Sequence, residues 1–247
     1  MLALKVDTSD FERQIRRIAE FPDVIRKTVV GAIADTVDDM HTREIMEMKA
    51  VFDRPTPWIM RGLKKRYPGG SFKVVEDDAG IYFEFFPAGA GKSQEDVMKP
   101  HVFGGPRALK GSERRMLNNP QIPEGTWTAM GIRYPRNSYG NIPGARYTQA
   151  IQALGVMSPE AMSVLPKGKQ KGRKNTQYFV FKRKGASEPF GIAERRGKEF
   201  NIILKFVSPP DYKKRFDYFG VGHKQFHSSF PKHFARILNK YMTRYGV

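Results

Sequence analysis

The most concentrated chemistry in this 247-residue chain is cationic. Lys167, Lys169, Lys171, Arg173, Lys174, Lys182, Arg183 and Lys184 all fall within residues 161–185, and no acid stands among them. Tyr178, Phe179 and Phe181 lie beside the last three. Lysine and arginine neutralise phosphates and flat rings stack on bases, so this stretch is the candidate contact for nucleic acid or another partner. Such contact would be to backbone, without sequence specificity. The same pattern also fits a solvated loop leading into a strand whose alternate residues face a core.

Other constellations are weaker. Gly89-Ala90-Gly91-Lys92-Ser93 ends like a phosphate-binding loop, which requires G-x-x-x-x-G-K-[ST]. Phe86 occupies the place of the first glycine and Glu95 and Asp96 follow, so the segment reads as a plain loop. His223 and His227 are four apart, the spacing of zinc ligands on a helix. Lys224 and Lys232 crowd them with positive charge, and the chain has no cysteine. Asp35, Asp38 and Asp39, or Glu76, Asp77 and Asp78, could hold Mg²⁺ in a nuclease. The first set lies on the polar side of a helix and the second in a turn, where acids are common for structural reasons. No Ser/His/Asp arrangement emerges from spacing. The expectation is a protein that is not an enzyme and takes no metal or cofactor.

Charge speaks to partners. Lys+Arg number 43 against 25 Asp+Glu, a net +18. Residues 1–60 hold 9 bases and 11 acids, so the excess belongs to the rest of the chain. A field of that sign attracts phosphate polymers and acidic surfaces but says nothing of fold. The absence of cysteine excludes a disulfide framework and suits a reducing compartment. No run approaches the ~20 apolar residues of a membrane span, and residues 1–10 lack the apolar stretch of a secretory signal.

These side chains need elements to hold them. Ser9 and Glu12 form a capping-box pattern before Phe11, Ile15 and Ile18, which predicts a short helix. Pro22 opens a second, in which Ile25, Val29, Ile33, Val37 and Met40 make one apolar stripe reaching toward Lys49. Thr56-Pro57 caps a short helix from Trp58 to Lys65. Phe72–Glu76 and Ile81–Phe86 read as a hairpin around Asp77-Asp78-Ala79-Gly80. Residues 87–107 read as a long loop, Arg107–Asn118 as a helix and 119–146 as an irregular excursion. A helix follows over Ala145–Leu154, with a shorter one after Ser158-Pro159. Strands are predicted at Tyr178–Lys182, Gly191–Glu194 and Phe200–Val207, before a helical stretch from Lys213 to Tyr245 carrying Phe230, Phe234, Ile237 and Leu238.

Strands do not alternate with crossover helices, so the expected class is α+β with a central antiparallel sheet, not a doubly wound fold. One domain is expected over residues 1–247, with a loop-rich insertion at about 87–176. Both helical stripes should share one core with the sheet of Phe72–Phe86 and Phe200–Val207. Tyr139 and Ile142, in the irregular middle, should lie outside it.

Several phrases resemble bacteriophage tail proteins. Val6–Lys49 is similar to the start of the minor tail protein Z family, the lambda-type tail completion proteins. Phe52-Asp53-Arg54-Pro55-Thr56-Pro57-Trp58 resembles a phrase of phage structural proteins. So does His101-Val102-Phe103-Gly104-Gly105-Pro106-Arg107, with Lys110 and Glu113 following. Gly191-Ile192-Ala193-Glu194, a basic turn, the strand Asn201–Val207, Pro209 and a basic terminal helix complete the likeness. Residues 114–165 share nothing with it. The resemblance implies a non-enzymatic virion protein at the head-proximal end of a tail, a tail completion or neck component. It implies partners of three kinds: further copies in a homo-oligomeric ring such as a hexamer, neighbouring neck and tail proteins, and nonspecific DNA. A basic nucleic-acid-binding module is the alternative, and a nuclease or nucleotide-binding enzyme using Asp38/Asp39 or Lys92 is the third reading.

Overall fold

The computed structural model describes residues 3–5, 22–68, 79–83, 94–131, 134–154 and 176–245. The helix expected at residues 9–18, the strand at 72–76 and the helix after Pro159 lie outside these residues. The class is α+β, with small antiparallel sheets and a long C-terminal helix. The chain forms two compact units, Met1–Gly104 with Lys213–Val247, and Gly105–Tyr212. This division differs from the single domain with an insertion at about 87–176: the second unit begins later, ends later and has its own core.

The first unit is organised by α1 (Pro22–Val51) and α6 (Tyr218–Tyr245). Ile25, Val29, Ile33, Val37 and Met40 are each no more than 3% exposed, so the apolar stripe is the buried face of α1. Opposite them stand Phe230 in the core and Phe226, Phe234, Ile237 and Leu238 packed at its margin. The helices run antiparallel: Asp39 meets Ser229 and His233, while Asp35, one turn earlier, meets Arg236. Gly31 permits this approach, because a Cβ there would stand 3.0 Å from Ile237 Cδ1. Thr28 and Thr36, buried on the same face, return their hydroxyls to the carbonyls of Val24 and Ala32 and leave no donor unsatisfied.

Thr56 caps α2 (Pro57–Arg61), its Oγ1 accepting from the Ile59 amide. The helix expected to reach Lys65 stops early, and Leu63–Arg66 forms strand β2 instead. It pairs antiparallel with β3 (Gly80–Phe83), which pairs on its other side with β1 (Ala3–Lys5). Leu63 and Ile81 are buried there, in the same core as Ile59 of α2. The loop expected over 87–107 contains α3 (Gln94–Phe103), whose Met98 and Val102 join the same core. Pro100 and nearby glycines obscured it, although Met98 and Val102 keep helical spacing.

The second unit packs a four-stranded antiparallel sheet on α5 (Gly144–Ala153). The sheet order is β5 (Trp127–Met130), β8 (Glu199–Val207), β7 (Pro189–Arg196), β6 (Thr176–Lys182). A two-stranded pair, β4 (Gly105–Pro106) with β9 (Asp211–Tyr212), joins the ends of the unit. A bulge shifts the β7–β8 register between Ile192 and Ala193, so consecutive Ile203 and Leu204 are both buried. Through Ile203, Leu204 and Phe206 the strand Phe200–Val207 therefore serves this second core and not that of α1 and α6, a correction to the shared core expected from sequence. Ile142 is also corrected, being 8% exposed and part of the same cluster with Ile122 and Tyr134. Tyr139 is 40% exposed.

Ile33→Ala and Ile142→Ala should therefore both destabilise, each by about 2–5 kcal/mol in chemical unfolding, because each leaves a cavity in a buried cluster. Tyr139→Ala should stay within about 0.5 kcal/mol.

Candidate interface

Of the cations offered as a contact, Lys167, Lys169, Lys171, Arg173 and Lys174 lie outside the described residues. Lys182, Arg183 and Lys184 are exposed at the turn between β6 and β7. The strands decide which aromatics they accompany. Tyr178 turns inward, donating to Gln149 Oε1 on α5 at 3.0 Å, and Val180 packs in the same core. Phe179 and Phe181 take the opposite face, as strand alternation requires. Tyr178 thus leaves the group it was placed in by proximity alone.

On that outer face Phe179 and Phe181 meet two residues that sequence reading had not brought in. Phe200, from β8, stands 5.1 Å from Phe181 and 6.3 Å from Phe179, centroid to centroid. A register shift between Phe181 and Lys182 sets Phe190 alongside, 6.3 Å from Phe181. Cations cover the rings. The Arg183 guanidinium lies 3.7 Å from the Phe190 centroid, Lys205 Nζ 5.5 Å from the same ring, and Arg195 5.6 Å from Phe179. Of the three, only Arg183 belongs to the basic run; Arg195 and Lys205 arrive through cross-strand register. Period-two alternation was the available signal, but pairing across strands is a long-range fact.

The other candidates resolve differently. Asp38 accepts from Lys65 Nζ and from Tyr67 Oη, both at 2.7 Å, and the Lys65 bond foremost holds its carboxyl below the ordinary range. Burial works against the Asp39 carboxylate, yet hydrogen bonds with His233 and from Ser229 still hold it low. These acids bind α1 to its neighbours. Among the described residues no cluster of His, Cys, Asp or Glu has the arrangement of a metal site, and His223 and His227 are exposed. Lys92 with its glycines, and Glu76 to Asp78, lie outside the described residues. No helix of the described chain is long and apolar enough to cross a membrane.

Nothing in the sequence marks Glu113 or Glu44 as buried. Glu113, on α4 (Gly111–Met116), is fully buried. Its oxygens accept from both terminal nitrogens of Arg107 at 2.7 Å, from the Lys110 amide at 2.7 Å, and from the Thr128 amide and hydroxyl at 2.9 and 2.7 Å. Burial pushes this carboxyl up, but five hydrogen bonds outweigh it and bring it to about 2. Glu44, on α1, is the opposite case. Neither of its oxygens makes a hydrogen bond of good geometry, and the Gly222 amide offers only weak relief. Burial, with Glu47 and Asp217 nearby, pushes it up to about 8, so it is protonated in the neutral range.

No protein-family model, curated protein or solved structure matches this chain.

The two glutamates should give stability opposite pH dependences. The folded pKa of Glu113 lies below its unfolded value, so its contribution is complete above ~4.3 and fades as pH falls toward about 2. Glu113→Gln should remove that acid limb and, by leaving Arg107 unpaired in a half-buried site, cost about 3–5 kcal/mol at neutral pH. The folded pKa of Glu44 lies above its unfolded value, so its contribution is complete below ~4.3 and is lost as pH rises through about 8. Glu44→Gln should flatten the decline of the unfolding midpoint between pH 5 and about 8, measured by thermal melts across that range.

Proposed function

We propose that this chain is a structural protein of a bacteriophage virion at the head-proximal end of the tail, a tail completion or neck component. In this reading it assembles as a homo-oligomeric ring near the DNA path, contacts neighbouring neck and tail proteins, and carries out no catalysis. One observation carries the reading beyond likeness of phrases. Two phrases that are distant in sequence meet in the fold, where Phe52 and His101 stand edge to face at 5.1 Å. The His101 carbonyl accepts the amides of Arg215 and Phe216, Phe216 lies 5.8 Å from Phe52, and the Arg215 guanidinium stands over the Phe52 ring at 5.3 Å. The shared wording thus corresponds to one physical junction, which ties the end of α1 and the end of α3 to the start of the C-terminal segment. A second support is that Asp35, Asp38 and Asp39, the nuclease candidates, serve in internal pairs.

Large apolar side chains left exposed on the first unit suit contact with further copies: Phe103 at 62%, Met46 at 57% and Trp58 at 39%. Purified protein should form rings visible by negative-stain microscopy, with a mass in native spectrometry several times that of one chain, and should be found in purified particles. Phe103→Asp, at an exposed site, should leave folding within about 0.5 kcal/mol and abolish the ring. A chain that stays monomeric at all concentrations and is absent from particles overturns the reading.

A further inference from the structure

We propose that the outer face of the β6–β7–β8 sheet binds single-stranded nucleic acid, with bases on the phenylalanine rings and phosphates at Arg183, Arg195 and Lys205. Four rings form a row, Phe179, Phe200, Phe181 and Phe190, with successive centroids 6.3, 5.1 and 6.3 Å apart. Half-buried or exposed, with Phe200 at 41%, they stand on the face opposite the second core. A phenylalanine row on a sheet face is costly in water unless something covers it, and among the described residues the cover is three cations. Each is exposed, lies within 5.6 Å of a ring centroid, and has no carboxylate partner among the described residues. The acid in the middle of β7, Glu194, points the other way and accepts from Tyr134 Oη at 2.9 Å.

Rings that stack on any base, alternating with cations that neutralise phosphates, are the elements of sequence-tolerant single-strand recognition. A duplex would satisfy the cations but keep its bases stacked inside, leaving the rings unused. In a second copy Asp35, Asp38 and Asp39, the acids clustered on α1, are already paired and do not offer these cations a free counter-surface. The support is rigid: β7 is hydrogen-bonded on both sides, and the positions face outward by register. This surface is independent of the tail reading, since strand binding and incorporation into particles are separate measurements.

The test is fluorescence anisotropy of the full-length chain with a labelled oligo-thymidylate and with a duplex of equal length, over a range of salt concentrations. Three phosphate contacts predict a slope near −2 in log K against log salt, about −0.7 for each contact on a single strand. Lys205→Ala should make that slope shallower by about 0.7. Phe200→Ala should weaken strand binding by about five- to a hundred-fold, the effect of one lost stacking platform. Phe200→Leu keeps apolar volume without a ring and must show a similar loss, with circular dichroism unchanged. Equal or tighter binding of the duplex, binding insensitive to both Phe200 variants, a slope unmoved by Lys205→Ala, or binding of polyglutamate in preference to the strand would each overturn the proposal.

Discussion

Burying the Glu113 carboxylate takes a charge out of water, and several kcal/mol must be recovered from partners placed around it. Those partners come from three places in the chain: the Arg107 fork, the Lys110 amide at the head of α4, and the amide and hydroxyl of Thr128 on β5. The residues around them have little regular structure of their own, so the carboxylate fixes what propensity cannot. Arg107 is held in turn by its setting, since its carbonyl accepts from Trp127 Nε1. With β5 fixed, β8 has an edge to pair with, and the four-stranded sheet has its first strand. Lys110 and Glu113 thus follow Arg107 at a spacing that closes one short helix onto one long side chain.

The first unit depends on shape more than on charge. Apolar side chains of α1 and α6 meet along antiparallel helices, and Gly31 lets Ile237 approach. Polar groups at the margin set register: Asp39 takes Ser229 and His233, and Asp35 takes Arg236 and, more distantly, His233. Surface pairs of this kind contribute little stability, about 0–1 kcal/mol each, but a slip of one turn would break all of them together. Glu44 faces the start of α6 with nothing to satisfy its oxygens well, and burial holds it protonated, so no uncompensated carboxylate charge is buried there.

What could be read in the sequence was whatever repeats locally. The stripe from Ile25 to Met40 has helical period, so its burial followed from spacing alone. Strands β6 to β8 are runs of β-branched and aromatic residues bounded by turns, and their existence was legible for the same reason. Three things were not. The α3 helix is hidden by Pro100 and by the glycines around it. Ile122, Tyr134 and Ile142 sit among prolines and asparagines, where nothing periodic marks them as core; they are buried because a sheet and α5 close over them. The assignment of Phe200–Val207 to a core depends on which strands are neighbours, a long-range fact that no local pattern contains.

The candidate surface shows the same division between what a segment states and what register creates. The run from Lys182 to Lys184 is conspicuous as a string of charge, yet a string of charge at a turn has no shape. Shape comes from strands that bring Phe200 between Phe179 and Phe181, and from the irregularity that seats Phe190 beside them. Arg195 and Lys205 are unremarkable in sequence and become part of a surface only because β7 and β8 place them next to those rings. Had the bulge between Ile192 and Ala193 been absent, residues of β8 on one side of it would exchange faces, and Lys205 and Phe200 could not share one. The bulge that buries Ile203 beside Leu204 therefore also composes the exposed face, so packing and surface chemistry are set by a single extra residue.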